Sequence, residues 1–226
     1  MKAQISIVIP TLNAESHLAD CLSALIEGLM AGLIRELIVS DGGSTDKTTL
    51  IADEAGAVLL HGPASRGGQL RKGAEVARGD WLLVLHADTV LAPGWSEEVA
   101  AHIQAERSPA CFRLRFRARG MAPRLVEAWA NLRTRFFGLP YGDQGLLIPR
   151  SLYEAAGGYP DQPLMEDVAL VRALKRGPVL FDSEARTSAA RYQKSGWLRR
   201  GGRNLWTLAR YFAGADPRVL ERQYRR

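Results

Sequence analysis

Hydrophobic and polar positions change their period along this chain, and the change separates two halves. In the first half, short apolar runs alternate with segments of helical periodicity. Gln4–Ile9 reads as a strand stopped by Pro10. Asn13 reads as the cap of a helix running to about Met30, with Leu18, Leu22, Leu25, Ile26 and Leu29 on one face. Glu36–Ser40 is a second strand. A helix follows from about Asp46 to Ala55, closed by Gly56 in the left-handed conformation. Ala57–His61 is a third strand, Arg66–Arg78 a helix closed by Gly79, and Trp81–Leu85 a fourth strand. This alternation predicts an α/β fold, with a mostly parallel sheet and helices on both faces.

The second half has a different rhythm. Phe112, Leu114 and Phe116 alternate with Arg113, Arg115 and Arg117, which predicts a strand with one apolar and one basic face. Such arginines suit an edge strand facing solvent. Pro123–Phe137 is helical, and Gly145–Ile148 is a short strand. Met165–Arg176 is a helix whose two opening acids suit the positive end of its dipole. Ser195–Phe212 has the pattern of a basic amphipathic helix.

Composition narrows this picture. With 226 residues, 46% of them hydrophobic, the chain can bury one sizeable core. Cys21 and Cys111 form neither a metal-type spacing nor a disulfide framework, so a reducing cytosol is the expected compartment. The N-terminal apolar stretch is too short for a signal peptide, and no run is long enough to span a bilayer. The net charge of +6 is uneven. Arg186–Arg226 carries +9 and the remainder −3. No nucleic-acid reading motif accompanies that basicity, which argues against a nucleic-acid partner. A phosphate-bearing substrate or an anionic membrane surface fits it. Trp197, Leu198, Leu205, Trp206, Leu208, Tyr211 and Phe212 lie among Lys194, Arg199, Arg200, Arg203 and Arg210. A helix of this kind can rest peripherally on the inner membrane surface, or pack on the domain with its arginines solvated.

Four groups of residues suggest chemistry, each with a plainer alternative. Asp41-Gly42-Gly43-Ser44-Thr45-Asp46 follows a strand. There Asp41 can accept hydrogen bonds from a nucleobase or ribose, or the stretch is an ordinary strand-to-helix turn. Arg66-Gly67-Gly68-Gln69 opens a helix and can cradle a diphosphate, or form a solvated basic loop. His86-Ala87-Asp88 ends an apolar strand, at the edge where open α/β sheets bind ligands. Asp88 suits Mg²⁺ or Mn²⁺ there, or simply forms a turn. Glu166 and Asp167 can supply a general base or satisfy a helix dipole, while Asp143 sits in the loop sequence Tyr-Gly-Asp-Gln.

The order of these groups is more informative than any one of them. Strand-Pro-Thr-Leu-Asn, strand-Asp-Gly-Gly-Ser-Thr-Asp, Arg-Gly-Gly-Gln, strand-His-Ala-Asp and Met-Glu-Asp occur in series over residues 4–175. The series resembles family 2 glycosyltransferases of the GT-A fold. The Leu-His-Ala-Asp-Thr, Tyr-Gly-Asp-Gln and Leu-Met-Glu-Asp wording is similar to a bacterial subset associated with radical-SAM and selenium-domain proteins.

The resemblance implies inverting transfer from a nucleotide-diphosphate sugar to an unidentified hydroxyl acceptor. It makes Asp88 the metal ligand, for Mg²⁺ or Mn²⁺, and Asp167 the general base with Glu166 beside it. Pro10, Thr11, Asn13, Glu15, Asp41, Arg66, Gln69, His86 and Ala87 fall on the nucleotide side, and Asp143 and Gln144 on the acceptor side. The chain then divides into a nucleotide-sugar-binding half over 1–110 and an acceptor half over 111–190 of one domain, followed by the basic amphipathic helical tail over 191–226. Two positions depart from the family pattern: His86 replaces the first acid of Asp-X-Asp, and Gly42 stands where many members have a second Asp. Both remove negative charge near the diphosphate. A non-catalytic nucleotide-sugar binder is the main alternative. A sugar-phosphate nucleotidyltransferase fits less well, because its Gly-rich loop after the first strand is missing.

Overall fold

A computed structural model of the chain describes residues 3–105 and 108–225. The first half forms β1 (Ile5–Thr11), α1 (Glu15–Met30), β2 (Ile34–Asp41), α2 (Thr48–Glu54), β3 (Val58–His61), α3 (Arg66–Val76), β4 (Trp81–Val84), β5 (Val90–Leu91) and α4 (Trp95–Ala105). The second half forms β6 (Ala110–Phe116), α5 (Met121–Phe137), a 3-10 turn (Gly142–Gln144), β7 (Leu146–Pro149), α6 (Arg150–Ala155), α7 (Glu166–Ala173) and β8 (Val179–Thr187). Then come α8 (Ala190–Ser195), α9 (Trp197–Phe212) and α10 (Pro217–Arg225).

One sheet runs through both halves in the order β3-β2-β1-β4-β7-β6-β8-β5. β3, β2, β1 and β4 are parallel, β7 is antiparallel to both of its neighbours, and β8 is parallel to β6. The α/β expectation therefore holds. Side chains alternate across β1, so Ile5, Ile7 and Ile9 pack with Leu18 and Leu25 of α1 and Trp95 of α4. Val8 faces the opposite layer, with Leu70 of α3, Tyr153 of α6 and Leu170 of α7. Burying each large side chain of these layers contributes about 1.5–3 kcal/mol.

Several local expectations need correction. β1 continues through Pro10 to Thr11. The carbonyl of Val8 accepts from Leu85, so the missing N–H of Pro10 faces β4 beyond its last paired residue, and no ladder bond is lost. Asn13 does not cap α1. The cap position is Ala14, and Asn13 sits in the left-handed region at φ 50°. Leu18, Cys21, Leu25 and Gly28 form the buried face of α1, which leaves Ile26 and Leu29 exposed. α3 ends at Val76. Gly79 is not its cap but a close approach, where a β-carbon would strike the backbone of Gln4 and Ser6.

β6 is not a solvent-facing edge. It pairs with β8 along one side and with β7 at Ala110 on the other, beyond which α5 closes it, with Asn131 Oδ1 accepting from Leu114 N and Glu127 Oε1 from Phe116 N. Its arginines are ion-paired, Arg113 with Asp182, Arg115 with Glu127 and Glu184, and Arg117 with Asp20. The tail is three helices folded onto the domain, with Arg200, Thr207, Leu208 and Leu220 buried. Both cysteines are free and buried. Among the described residues, no helix is long and apolar enough to cross a membrane.

Candidate active site

The C-terminal ends of β1 and β4 open on one cleft, and the loops after β1 and β2 are tied together. After β1, Asn13 Oδ1 accepts from Thr45 N at 2.9 Å, and Asn13 N donates to Ser44 Oγ at 2.8 Å. Asp46 Oδ2 accepts from Glu15 N, while Glu15 Oε2 accepts from Lys47 N. The loop after each strand thus caps the helix of the other, satisfying amides that a helix start leaves unpaired. Gln69, from α3, fixes both strands by donating to the carbonyls of Thr11 and Ser40.

Asp41 is buried and organises its own loop. Its carboxylate accepts from the hydroxyls of Thr11 and Ser44 and from the amides of Gly43 and Ser44. Burial raises its pKa, but these hydrogen bonds outweigh that and hold it below the usual carboxylate range. Beside it, a β-carbon on Gly42 would meet the Ala64 backbone and Gln69, each at 3.1 Å. A side chain at this position would require those neighbours to give by a few tenths of an ångström.

The cleft has two adjoining compartments. The larger, about 530 Å³, is lined by Pro10, Thr11, Asn13, Arg66, Gln69, His86, Ala87 and Asp88 among others. The smaller, about 130 Å³, is lined by Asp143, Asp167, Tyr141 and Gly142, and shares Arg66, His86 and Asp88 with the first. Of the sequence-derived candidates, Glu15 and Asp41 line neither compartment. Gln144 is buried behind the smaller one, where it donates to Phe112 O and accepts from Thr134. Glu166 is buried below the cleft and ion-paired with Arg66 at 3.6 Å. Burial and the adjacent Asp167 raise its pKa against the pull of Arg66.

Asp88, His86 and Asp167 have contrasting environments. Asp88 faces both compartments and accepts no hydrogen bond from a described residue. His86 is neutral, because burial and the Arg66 charge push its pKa far below the usual imidazole value, against the pull of Asp88. Asp167 accepts from Gly142 N and Val168 N, each at 2.7 Å. The turn that carries it starts at Met165, a non-glycine residue at φ 63° held by packing with Val168 and Leu208. Backbone strain of that kind collects at functional sites. Asp143 has one buried oxygen without a partner, and burial pushes its pKa up to about 6 while Arg133 opposes.

The site also contains residues that the sequence reading placed elsewhere or passed over. Arg191 and Arg200 reach both compartments from the tail, as does Tyr224, whose ring lies 4.2 Å from the Arg200 guanidinium carbon. With Arg66 they give the cleft three cationic groups, which suits a ligand bearing phosphates. Among the described residues, no group of three or more His, Cys, Asp or Glu side chains forms a metal cage. One free carboxylate nevertheless suits a hard cation that takes its remaining ligands from phosphate and water.

Comparison with known proteins agrees with this geometry. Residues 6–144 match the family model described as glycosyl transferase family 2. A PGL/p-HBAD biosynthesis glycosyltransferase from Mycobacterium bovis (strain BCG / Pasteur 1173P2) is 36% identical over 93 residues, covering 38% of this chain and 36% of that protein. A glucosyl-3-phosphoglycerate synthase from Mycolicibacterium smegmatis is 43% identical over 56 residues, covering 25% of this chain and 18% of that protein. The chain therefore spans about a third or less of these curated relatives. Among solved structures, glucosyl-3-phosphoglycerate synthase from Mycobacterium tuberculosis, in complex with Mg²⁺ and uridine diphosphate, superposes with a TM-score of 0.57. It is 20% identical, and the match covers 82% of this chain and 70% of that one. S. aureus TarS 1-349 in complex with uridine diphosphate gives a TM-score of 0.63 at 18% identity, covering 86% of this chain and 63% of that one.

Proposed function

The chain belongs to glycosyl transferase family 2, and on that premise we propose that it transfers a sugar from a nucleoside-diphosphate donor to a hydroxyl acceptor with inversion. The fold is the GT-A arrangement of nucleotide-sugar transferases. The observation that carries the proposal is Asp88, a carboxylate on the wall shared by the two compartments that accepts no hydrogen bond from a described residue, with Arg66 and neutral His86 beside it. Uridine diphosphate is the first nucleotide to test, since the two solved relatives were crystallised with it.

In this reading the larger compartment takes the nucleoside diphosphate and the smaller one the acceptor. Asp88 would hold a divalent cation, Mg²⁺ or Mn²⁺, which when bound supplies positive charge to the diphosphate. Arg66, Arg191 and Arg200 add fixed charge from the protein. Asp167 takes the acceptor's hydroxyl proton while the acceptor oxygen forms its bond to the anomeric carbon. The bond from that carbon to the diphosphate oxygen breaks in the same step, and the nucleoside diphosphate leaves with the electron pair. Asp167 is suited to the task because two backbone amides orient its carboxylate in the acceptor compartment.

The test is a thermal-shift panel of nucleoside diphosphates with and without Mn²⁺, followed by donor-hydrolysis and transfer assays. A ligand that binds only the folded state raises its melting temperature, by about 2.7 kcal/mol of stability at a hundredfold excess over Kd. Asp88→Asn should abolish the Mn²⁺-dependent part of the shift. A nucleotide shift without any hydrolysis or transfer would favour the non-catalytic binder, and no shift with any nucleoside diphosphate would overturn the proposal.

A further inference from the structure

Each of two neighbouring helices far apart in sequence leaves an apolar stripe in solvent. On α5, Met121, Leu125, Trp129, Leu132 and Phe136 follow one another at helical spacing and are all exposed, Met121 by 81% and Phe136 by 69%. α9 packs beside α5. Its Leu198 is 84% exposed and Trp206 67%, and Leu205 and Phe212 continue the same outer side. Arg199 is exposed beside this side of α9, Arg203 and Arg210 of the same row bond to Tyr224 O and the Gln223 side chain of α10, and Arg124, ion-paired with Glu127, and Arg135 lie along one edge of the α5 stripe. The opposite sides of both helices are buried against the domain, through Ala130, Arg133 and Thr134 on α5 and Arg200, Thr207 and Leu208 on α9.

We propose that the paired outer stripes of α5 and α9 are a docking surface for an anionic lipid bilayer. The arrangement is that of interfacial helices, with apolar side chains and tryptophans facing outward and cationic side chains along one edge. The basic segment 186–226, at +9, complements anionic headgroups. The same charge opposes pairing with a second copy through this face, since that would bring two basic edges together. Docking also has a direction. α9 turns Arg200 and Asn204 inward to the acceptor compartment, and α5 turns Arg133 against the Tyr141 ring that lines it. An acceptor carried on a lipid would reach Asp143 and Asp167 from this side. That last step rests on the transferase reading above.

The test is co-sedimentation of the full chain with vesicles of phosphatidylcholine containing phosphatidylglycerol, against vesicles of phosphatidylcholine alone. Wild type should bind the anionic vesicles at low salt and bind the neutral ones at least tenfold more weakly. The exposed-site double variants Leu125→Ser/Phe136→Ser and Leu198→Ser/Trp206→Ser should each weaken binding at least tenfold and leave the melting temperature in place. Nucleotide-induced thermal shifts on the same variants should be unchanged, which separates failure here from failure of the transferase reading. The proposal is overturned if wild type does not bind anionic vesicles, or if the α5 variant binds as well as wild type. It is also overturned if light scattering shows a dimer that the same variants dissolve.

Discussion

His86 occupies the space that a β-carbon on Gly142 would need, so the strand-end histidine and the glycine of Tyr-Gly-Asp-Gln are fitted to one another. The amide of Gly142 also donates to Asp167, which joins the His86 side of the cleft to the Asp167 side. Gly142→Ala should therefore displace the imidazole and the Asp167 carboxylate together. We expect an overpacking cost of about 1–3 kcal/mol in urea unfolding, and a fall in transfer larger than the fall in nucleotide binding. Unchanged transfer in a stably folded variant would show that the fit does not matter.

Asp167→Asn keeps the shape of the side chain and an oxygen for the Gly142 amide, but removes its basicity. Transfer should drop by about 10²–10⁴. Nucleotide-induced stabilisation should persist, because the smaller compartment holds this residue and the larger one does not. Single-turnover transfer beside a nucleotide thermal shift measures both quantities.

Asp143 gives a pH signature with a definite sign. Its folded-state pKa, pushed up to about 6 by burial, lies above the ordinary carboxyl value of 3.8. The folded state thus favours the neutral acid. The stability contributed by Asp143 is complete below pH 4 and is lost as pH rises through 6. Asp143→Asn should match wild type below about pH 4 and exceed it by about 3 kcal/mol above pH 7, as read from urea midpoints at the two values.

The parts of the fold legible in the sequence were those governed by local physics. β1, β4 and the C-terminal half of β2 are buried on both faces, so they appear as apolar runs, and Asp41 and Asp88 stand at or just past strand ends. β8 was missed because Asp182, Glu184 and Arg186 interrupt any apolar pattern. Asp182 and Glu184 are satisfied by ion pairs with Arg113 and Arg115 on the neighbouring strand. Arg113 and Arg115 do face solvent, but the basic face suggests an edge strand because the partners that flank β6 and pair with these arginines lie far along the chain. Asp88, His86 and Asp143 were found by their place after a strand or in a tight turn. Arg191 and Arg200 were not, because only the folding back of the tail brings them to the cleft. The α5 stripe was legible as a helix, but nothing local distinguishes an apolar side that is buried from one left exposed.

The reciprocal capping between Asn13 and Thr45, and between Glu15 and Asp46, has a consequence for selectivity. Fixing a backbone residue costs about 1–2 kcal/mol in conformational entropy. Here the loop that brings Asn13 to the larger compartment is already fixed by folding, so on the proposed reading a nucleoside diphosphate meets a preorganised edge and loses little affinity to loop ordering. A rim of that kind has little slack with which to remodel itself around a different base. It discriminates by refusing a poor fit, and the bases it refuses should be refused whatever sugar they carry.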